Sequence, residues 1–133
     1  CNDHYDYSNT INVKNSWYKK DTLNFDFAVK NSKENKNINF IVRNNNEYPF
    51  SNLYLFIKIK QGKNTIISDT LNYELADNTG KWKGSGIGST KEIYLQYKKD
   101  FKFPKEGNYT LAVVQGMRKD TLQGIEDFGV TIE

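Results

Sequence analysis

Few side chains in this sequence could do covalent or acid-base chemistry, and the first of them is the leading residue. The only cysteine is Cys1 and the only histidine is His4. A single thiol makes no internal disulfide and no cysteine-based zinc site. One histidine beside the start gives a Ser-His-Asp or Cys-His arrangement almost nothing to work with. A cysteine left in first place by removal of a secretory leader suits acylation, the thiol carrying the diacylglycerol of a bacterial lipoprotein. Each buried methylene contributes about 0.8 kcal/mol, so one chain holds weakly and two or three hold firmly. The bland alternative is a boundary that falls on an idle cysteine. Asn2 to Asn9 (NDHYDYSN) favours the anchor, being polar and suited to a solvated tether. Extended, those residues reach about 27 Å at roughly 3.4 Å each.

The remaining constellations each carry a structural alternative. Glu74, Asp77 and Glu92 could act as paired carboxylates on a glycoside if the fold brought them together, though nothing in their spacing does so. Asp77-Asn78 and Glu126-Asp127 offer oxygen ligands to calcium without an EF-hand loop. The segment Trp82-Lys-Gly-Ser-Gly-Ile-Gly88 is only superficially a phosphate loop, because it leads into a strand-like run instead of a helix. Its glycines fit a tight backbone crossing better, with Trp82 covering the core. Gln115 continues the inward phase of Tyr109, Leu111 and Val113, and needs hydrogen-bond partners there. Arg118 stands among Asp120, Glu126 and Asp127, a pattern for an ion-paired corner or a partner contact. Tyr48, Tyr54, Trp82 and Tyr94 could form a platform for stacking on a sugar, although tyrosines also stabilise strands by cross-strand packing. Lys19-Lys20 and Lys98-Lys99 read as protection of strand edges.

The elements that must position these residues are strands. Leu23, Phe25, Phe27 and Val29 alternate with polar or small residues, as do Ile38, Phe40 and Val42. In Leu53 to Lys60 (LYLFIKIK), Leu53, Leu55, Ile57 and Ile59 share one face; on the other, Tyr54 and Phe56 give way to Lys58 and Lys60. A Gln61-Gly62-Lys63-Asn64 turn leads into Thr65 to Asp69, followed by Leu71, Tyr73 and Leu75. Ala76 to Thr90 is a long irregular connection. Alternation resumes at Ile93, Leu95 and Tyr97, again from Tyr109 to Gln115, and last near Phe128, Val130 and Ile132. With 133 residues, 37% of them hydrophobic, the chain suits one domain with a real core. These patterns predict an all-β fold: a single antiparallel β-sandwich, jelly-roll or Ig-like, of roughly eight strands with little helix. Residues 1–16 are expected to be the anchored tether and 17–133 the sandwich. A formal charge of +3 argues against a nucleic-acid partner, and no apolar run is long enough for a membrane-spanning helix.

Three stretches together resemble the gliding-motility lipoprotein GldH family of Bacteroidetes. The first is Arg43 followed by Tyr48-Pro-Phe-Ser-Asn52-Leu-Tyr-Leu-Phe. The second is Asp69-Thr-Leu with Leu75-Ala-Asp-Asn-Thr-Gly80-Lys-Trp82-Lys-Gly84-Ser-Gly-Ile-Gly88. The third is Gly107-Asn-Tyr109, Gln115-Gly-Met-Arg118 and Asp120-Thr-Leu-Gln-Gly124-Ile-Glu-Asp127. Trp17 and the alternation from Leu23 to Val29 fit the family's opening pattern. The resemblance implies lipid modification at Cys1 and an envelope lipoprotein, and the expected place is the outer membrane, facing either the periplasm or the cell surface. It also implies a part in surface gliding beside the type IX secretion apparatus, without an assigned catalytic or ligand-binding set. The expectation is a non-enzymatic scaffold or adaptor, without cofactor or metal, that meets other envelope proteins; Trp82, Tyr94, Tyr48 and Arg118 are its candidate contacts. A surface carbohydrate-binding module is the rival, and the oligomeric state stays open.

Overall fold

A computed structural model describes residues 6–86, 88–117 and 119–133. Within them the chain forms ten strands: β1 (Tyr7–Asn12), β2 (Ser16–Tyr18), β3 (Leu23–Val29), β4 (Lys36–Asn44), β5 (Asn52–Gln61), β6 (Asn64–Glu74), β7 (Lys91–Phe101), β8 (Gly107–Gln115), β9 (Thr121–Gln123) and β10 (Ile125–Ile132). The first sheet has the order β1-β10-β4-β7 and the second β3-β8-β5-β6, while β2 and β9 pair as a short separate ribbon. Every pairing is antiparallel. Two four-stranded sheets in this order are the double Greek key of a jelly roll, which decides between the two sandwich topologies the sequence left open.

Strict alternation produces the inner faces. β3 is buried at every second residue from Leu23 to Val29, and β5 at Leu53, Leu55, Ile57 and Ile59, all without exposed surface. Rings fill much of the space between the sheets. Phe40 of the first sheet stacks on Tyr97 at 5.1 Å and meets Phe128 at 5.2 Å, while Phe27, Phe103 and Tyr109 of the other end cluster within 6 Å of one another. Such offset and edge-on pairs add to plain area burial. Trp17 of β2, 1% exposed, closes the corner opposite Leu122 of β9, and its indole nitrogen donates to the carbonyl of Asp21 at 3.0 Å.

Residues 7–16 depart from the solvated tether expected of 1–16. β1 pairs with β10 along its whole length, from Tyr7 opposite Ile132 to Asn12 opposite Asp127. Tyr7, Ile11 and Val13 pack against the core while Ser8, Asn9, Thr10 and Asn12 stay exposed. An edge strand is held by backbone hydrogen bonds and a few inward side chains, so its composition looks like that of a linker.

The two ends of the sandwich carry different loops. The chain enters at Asp6, whose amide donates to the carbonyl of Ile132 at 2.7 Å. At this near end lie the β3–β4, β5–β6 and β7–β8 connections, tied together by Gln61, which donates to the carbonyl of Glu106 at 3.1 Å. The far end holds the β4–β5, β6–β7 and β8–β9 connections and the β2–β9 ribbon. Gly124 there has φ +96°, and a Cβ on it would stand 2.6 Å from that of Tyr48, and nearer still to the Tyr48 backbone. Only glycine fits that crossing.

Candidate functional site

The aromatic residues singled out in the sequence do not form one platform. Tyr48 is only 3% exposed, and its hydroxyl donates to the carbonyl of Asn52, with burial pushing its pKa well up and keeping it protonated. Trp82 is half-buried beside it, ring centres 6.2 Å apart and tilted by 52°, and its indole nitrogen donates to Oδ1 of Asn46 at 3.3 Å. These two residues meet. Tyr94 is 60% exposed but stands on the outer face of the first sheet, opposite Ile41. Tyr54 lies on the outer face of the second sheet. Cys1 and Arg118 lie outside the described residues, as does His4.

The glycine-rich segment brings backbone close to backbone. Ser85 and Glu92 exchange hydrogen bonds at 2.9 and 2.8 Å. A Cβ on Gly84 would sit 2.7 Å from the carbonyl oxygen of Glu92. The crossing explains the glycines without a phosphate.

Nearby acids already have partners. Glu92 and Asp127 hold Arg43, at 2.6 Å to Nε and 3.4 Å to Nη1, and these pairs push the guanidinium pKa up. Glu126 accepts from Asn45 at 3.1 Å and Thr90 at 3.0 Å. Asp120 pairs with Lys19 at 2.8 Å and its pKa is lowered by that contact. Asp77 accepts from the hydroxyl and amide of Thr79 and the amide of Lys81, which lower its pKa and close its own turn. Glu74 pairs with Lys83 at 2.7 Å. The three carboxylates considered for glycoside chemistry are thus spread over three separate contacts. Among the described residues no group of three potential metal ligands comes together.

Gln115 is 2% exposed and fully used. Its amide nitrogen donates to the carbonyls of Lys119 at 2.7 Å and Trp17 at 3.4 Å, and its Oε1 accepts from the amide of Met117 at 2.8 Å. This places Gly116 and Met117 against the start of β5: the amide of Gly116 donates to the carbonyl of Tyr54 at 2.8 Å, and the amide of Tyr54 points at Sδ of Met117, 3.1 Å away.

The result is a groove on the outer face of the second sheet. Asn52, Tyr54, Phe56, Thr70, Gly116 and Met117 line a depression of about 560 Å³. Phe56 is 48% exposed and Tyr54 41%. The missing side chain at Gly116 lets the Phe56 ring lie against the strand, since a Cβ there would be 2.9 Å from Cε2. An adjoining depression of about 370 Å³ runs from Phe56 past Ala112 and Val114 to Lys58 and Lys60. Together they make an apolar patch bounded by lysines. Alternation within LYLFIKIK already turns Tyr54 and Phe56 outward. What it does not show is that Gly116 and Met117, sixty residues later in a loop, complete the wall.

The family profile described as GldH lipoprotein matches residues 3–132. The chain belongs to the GldH lipoprotein family. A gliding motility lipoprotein GldH homolog of Christiangramia forsetii is 38% identical over 124 residues, spanning 88% of this chain and 76% of that protein. The gliding motility lipoprotein GldH of Flavobacterium johnsoniae is 35% identical over 128 residues, spanning 91% and 79%. Among solved structures, dimeric latent PorU of Porphyromonas gingivalis gives a TM-score of 0.45 at 10% identity, over 96% of this chain and 12% of that one. The CBM36-1 domain of a xylanase from a termite hindgut metagenome gives 0.43 at 18%, over 92% and 84%. The GldH-family chain thus stands among the gliding-motility lipoproteins by descent.

Proposed function

We propose that this GldH-family protein is a non-enzymatic adaptor of the cell envelope, anchored by lipid on Cys1 in the outer membrane, that docks a protein of the gliding and type IX secretion machinery. The observation that carries the docking role is the Phe56 ring, half exposed over Gly116 at the centre of an open groove. The partner that fits presents an apolar side chain to Tyr54 and Phe56 and a carboxylate to Lys58. Anchoring supports such a role, because confinement to a membrane raises effective concentration and lets a modest interface suffice.

Two measurements test it. Cys1→Ser is expected to move the protein out of the membrane fraction after a high-salt wash; a variant that stays there refutes the anchor. A photo-reactive residue at position 56 is expected to cross-link an envelope protein in cells, whereas the same residue at position 26, on the same sheet face but outside the groove, gives no such product. Equal yields from both positions refute the groove. The exposure of Tyr94 supports the second reading, a carbohydrate-binding surface, which predicts saturable binding on a glycan array that Tyr94→Ala abolishes.

A further inference from the structure

Charge is sorted along the long axis of the sandwich. At the far end, charges balance: Lys19 pairs with Asp120, Lys83 with Glu74, and Arg43 with Glu92 and Asp127. Lys14, Lys20, Lys81, Lys91 and Lys119, which make no ion pair among the described residues, stand there among Asp21, Glu47, Asp77 and Glu126. At the near end, Lys30 and Lys33 of the β3–β4 connection, Lys60 and Lys63 of the β5–β6 hairpin, and Lys102 and Lys105 of the β7–β8 connection make no ion pair among the described residues. Five of the six are exposed and Lys60 is half-buried. Lys36 is neutralised at that end by Asp6 and Glu34, and Lys98, opposite Ile38, by Asp69. The carboxylates left to offset this crown are Asp100, Glu106 and Glu133.

The same end receives the chain from Cys1. Asp6 is already bonded to Ile132, so the five peptide steps from Cys1 to Asp6 span at most about 17 Å. A lysine side chain projecting from a loop at that end crosses part of this distance, and the field of a charged surface extends about 10 Å into solution. The crown cannot swing far from the surface that holds the first residue.

We infer that the near-end lysines seat the domain upright on anionic, phosphate-bearing headgroups of the bilayer, with the Phe56 groove held away from the membrane. This rests on the anchor proposed at Cys1. Each lysine within reach of an anionic surface strengthens binding about fivefold, so losing three of them weakens it about a hundredfold.

The test uses the full chain with Cys1→Ser, so that no acyl group contributes, in flotation with vesicles. Binding is expected to vesicles of mixed phosphatidylglycerol and phosphatidylcholine at low salt, to be lost at high salt, and to be absent on phosphatidylcholine alone. Lys33→Glu, Lys63→Glu and Lys105→Glu together, one exposed residue from each loop, are expected to weaken it at least tenfold. The matched reversal at the far end, Lys14→Glu, Lys20→Glu and Lys119→Glu, is expected to weaken it much less. Equal binding to neutral vesicles, equal effects of the two triple variants, or no binding at all overturns the seat. A photo-cross-linker at position 63 of the acylated protein that captures a protein in place of lipid also overturns it. Loss of the native chain from the membrane fraction refutes the anchor alone, because the vesicle assay reads the lysines without any lipid on the chain.

Discussion

Replacing Gln115 by Leu removes one buried amide and keeps its volume. The amide of Met117 and the carbonyl of Lys119 lose bonds of 2.8 and 2.7 Å, and the carbonyl of Trp17 loses a longer one of 3.4 Å. Leaving such groups without a partner costs about 1–3 kcal/mol each when they are fully buried, and the first two are partly solvated. Leucine returns some apolar burial at a site only 2% exposed. The net expectation is a loss of about 2 kcal/mol, or roughly 8 °C in Tm for a chain of this length. Equilibrium urea unfolding reads it through tryptophan fluorescence, since Trp17 is 1% exposed and one of the bonds ends on its carbonyl. The m-value is expected to stay unchanged. Gln115→Glu keeps an acceptor for Met117 but loses both donated bonds and buries a charge, so it is expected to cost more than Leu. If Glu is tolerated better than Leu, or if Leu shifts stability by less than about 0.5 kcal/mol, the account of this residue is wrong. Because the 116–120 connection hangs on Gln115, cross-linking from position 56 is also expected to fall in the leucine variant.

Gly124→Ala forces a Cβ into the Tyr48 backbone at a φ of +96°, and a loss of about 3 kcal/mol or more is expected in the same urea assay; a near-neutral change would mean the crossing relaxes freely. Stability is expected to fall above about pH 10, because burial and then Asp69 raise the Tyr73 hydroxyl from 10.0 to about 12, and burial and a 2.7 Å bond to Asp69 raise Tyr97 further. The folded state keeps protons that the unfolded chain releases, so this contribution is whole below pH 10 and fades as pH climbs toward 12; for the half-exposed Tyr73 it is about 1 kcal/mol after solvent screening. Tyr73→Phe is expected to blunt the decline seen in urea midpoints, and a curve that stays flat to pH 12 would refute the linkage.

The inner faces were legible because an alternating strand writes its burial into the residue order. β3, β5 and β8 each show it, and Gln115 is recognisable as a polar group in an apolar phase, hence as one with partners. β1 is not legible in that way. Its hold on β10 comes from backbone groups, which every residue carries, and its side chains include only Tyr7 and Ile11 as inward apolar groups. The acids near Arg118 show a second limit. Asp127 is nine residues from Arg118 in the chain, yet its partner is Arg43, 84 positions away, because β10 lies between β1 and β4. Pairing across a Greek key is fixed by strand order, and strand order leaves no periodic trace. The groove fails for the same reason: half of it is an alternation and half is a loop whose return to β5 depends on Gln115.

β1 enters the first sheet at the near end and lies flat against β10 for six residue pairs, whereas Tyr54, Phe56 and Met117 sit toward the opposite end. A molecule tugged by its first residue while gripped at that groove is stretched lengthwise along its strands. The load then falls on the β1–β10 bonds side by side, in shear, and they do not peel apart one after another. For a member of a gliding-motility lipoprotein family, that is the orientation in which a small sandwich resists pulling best.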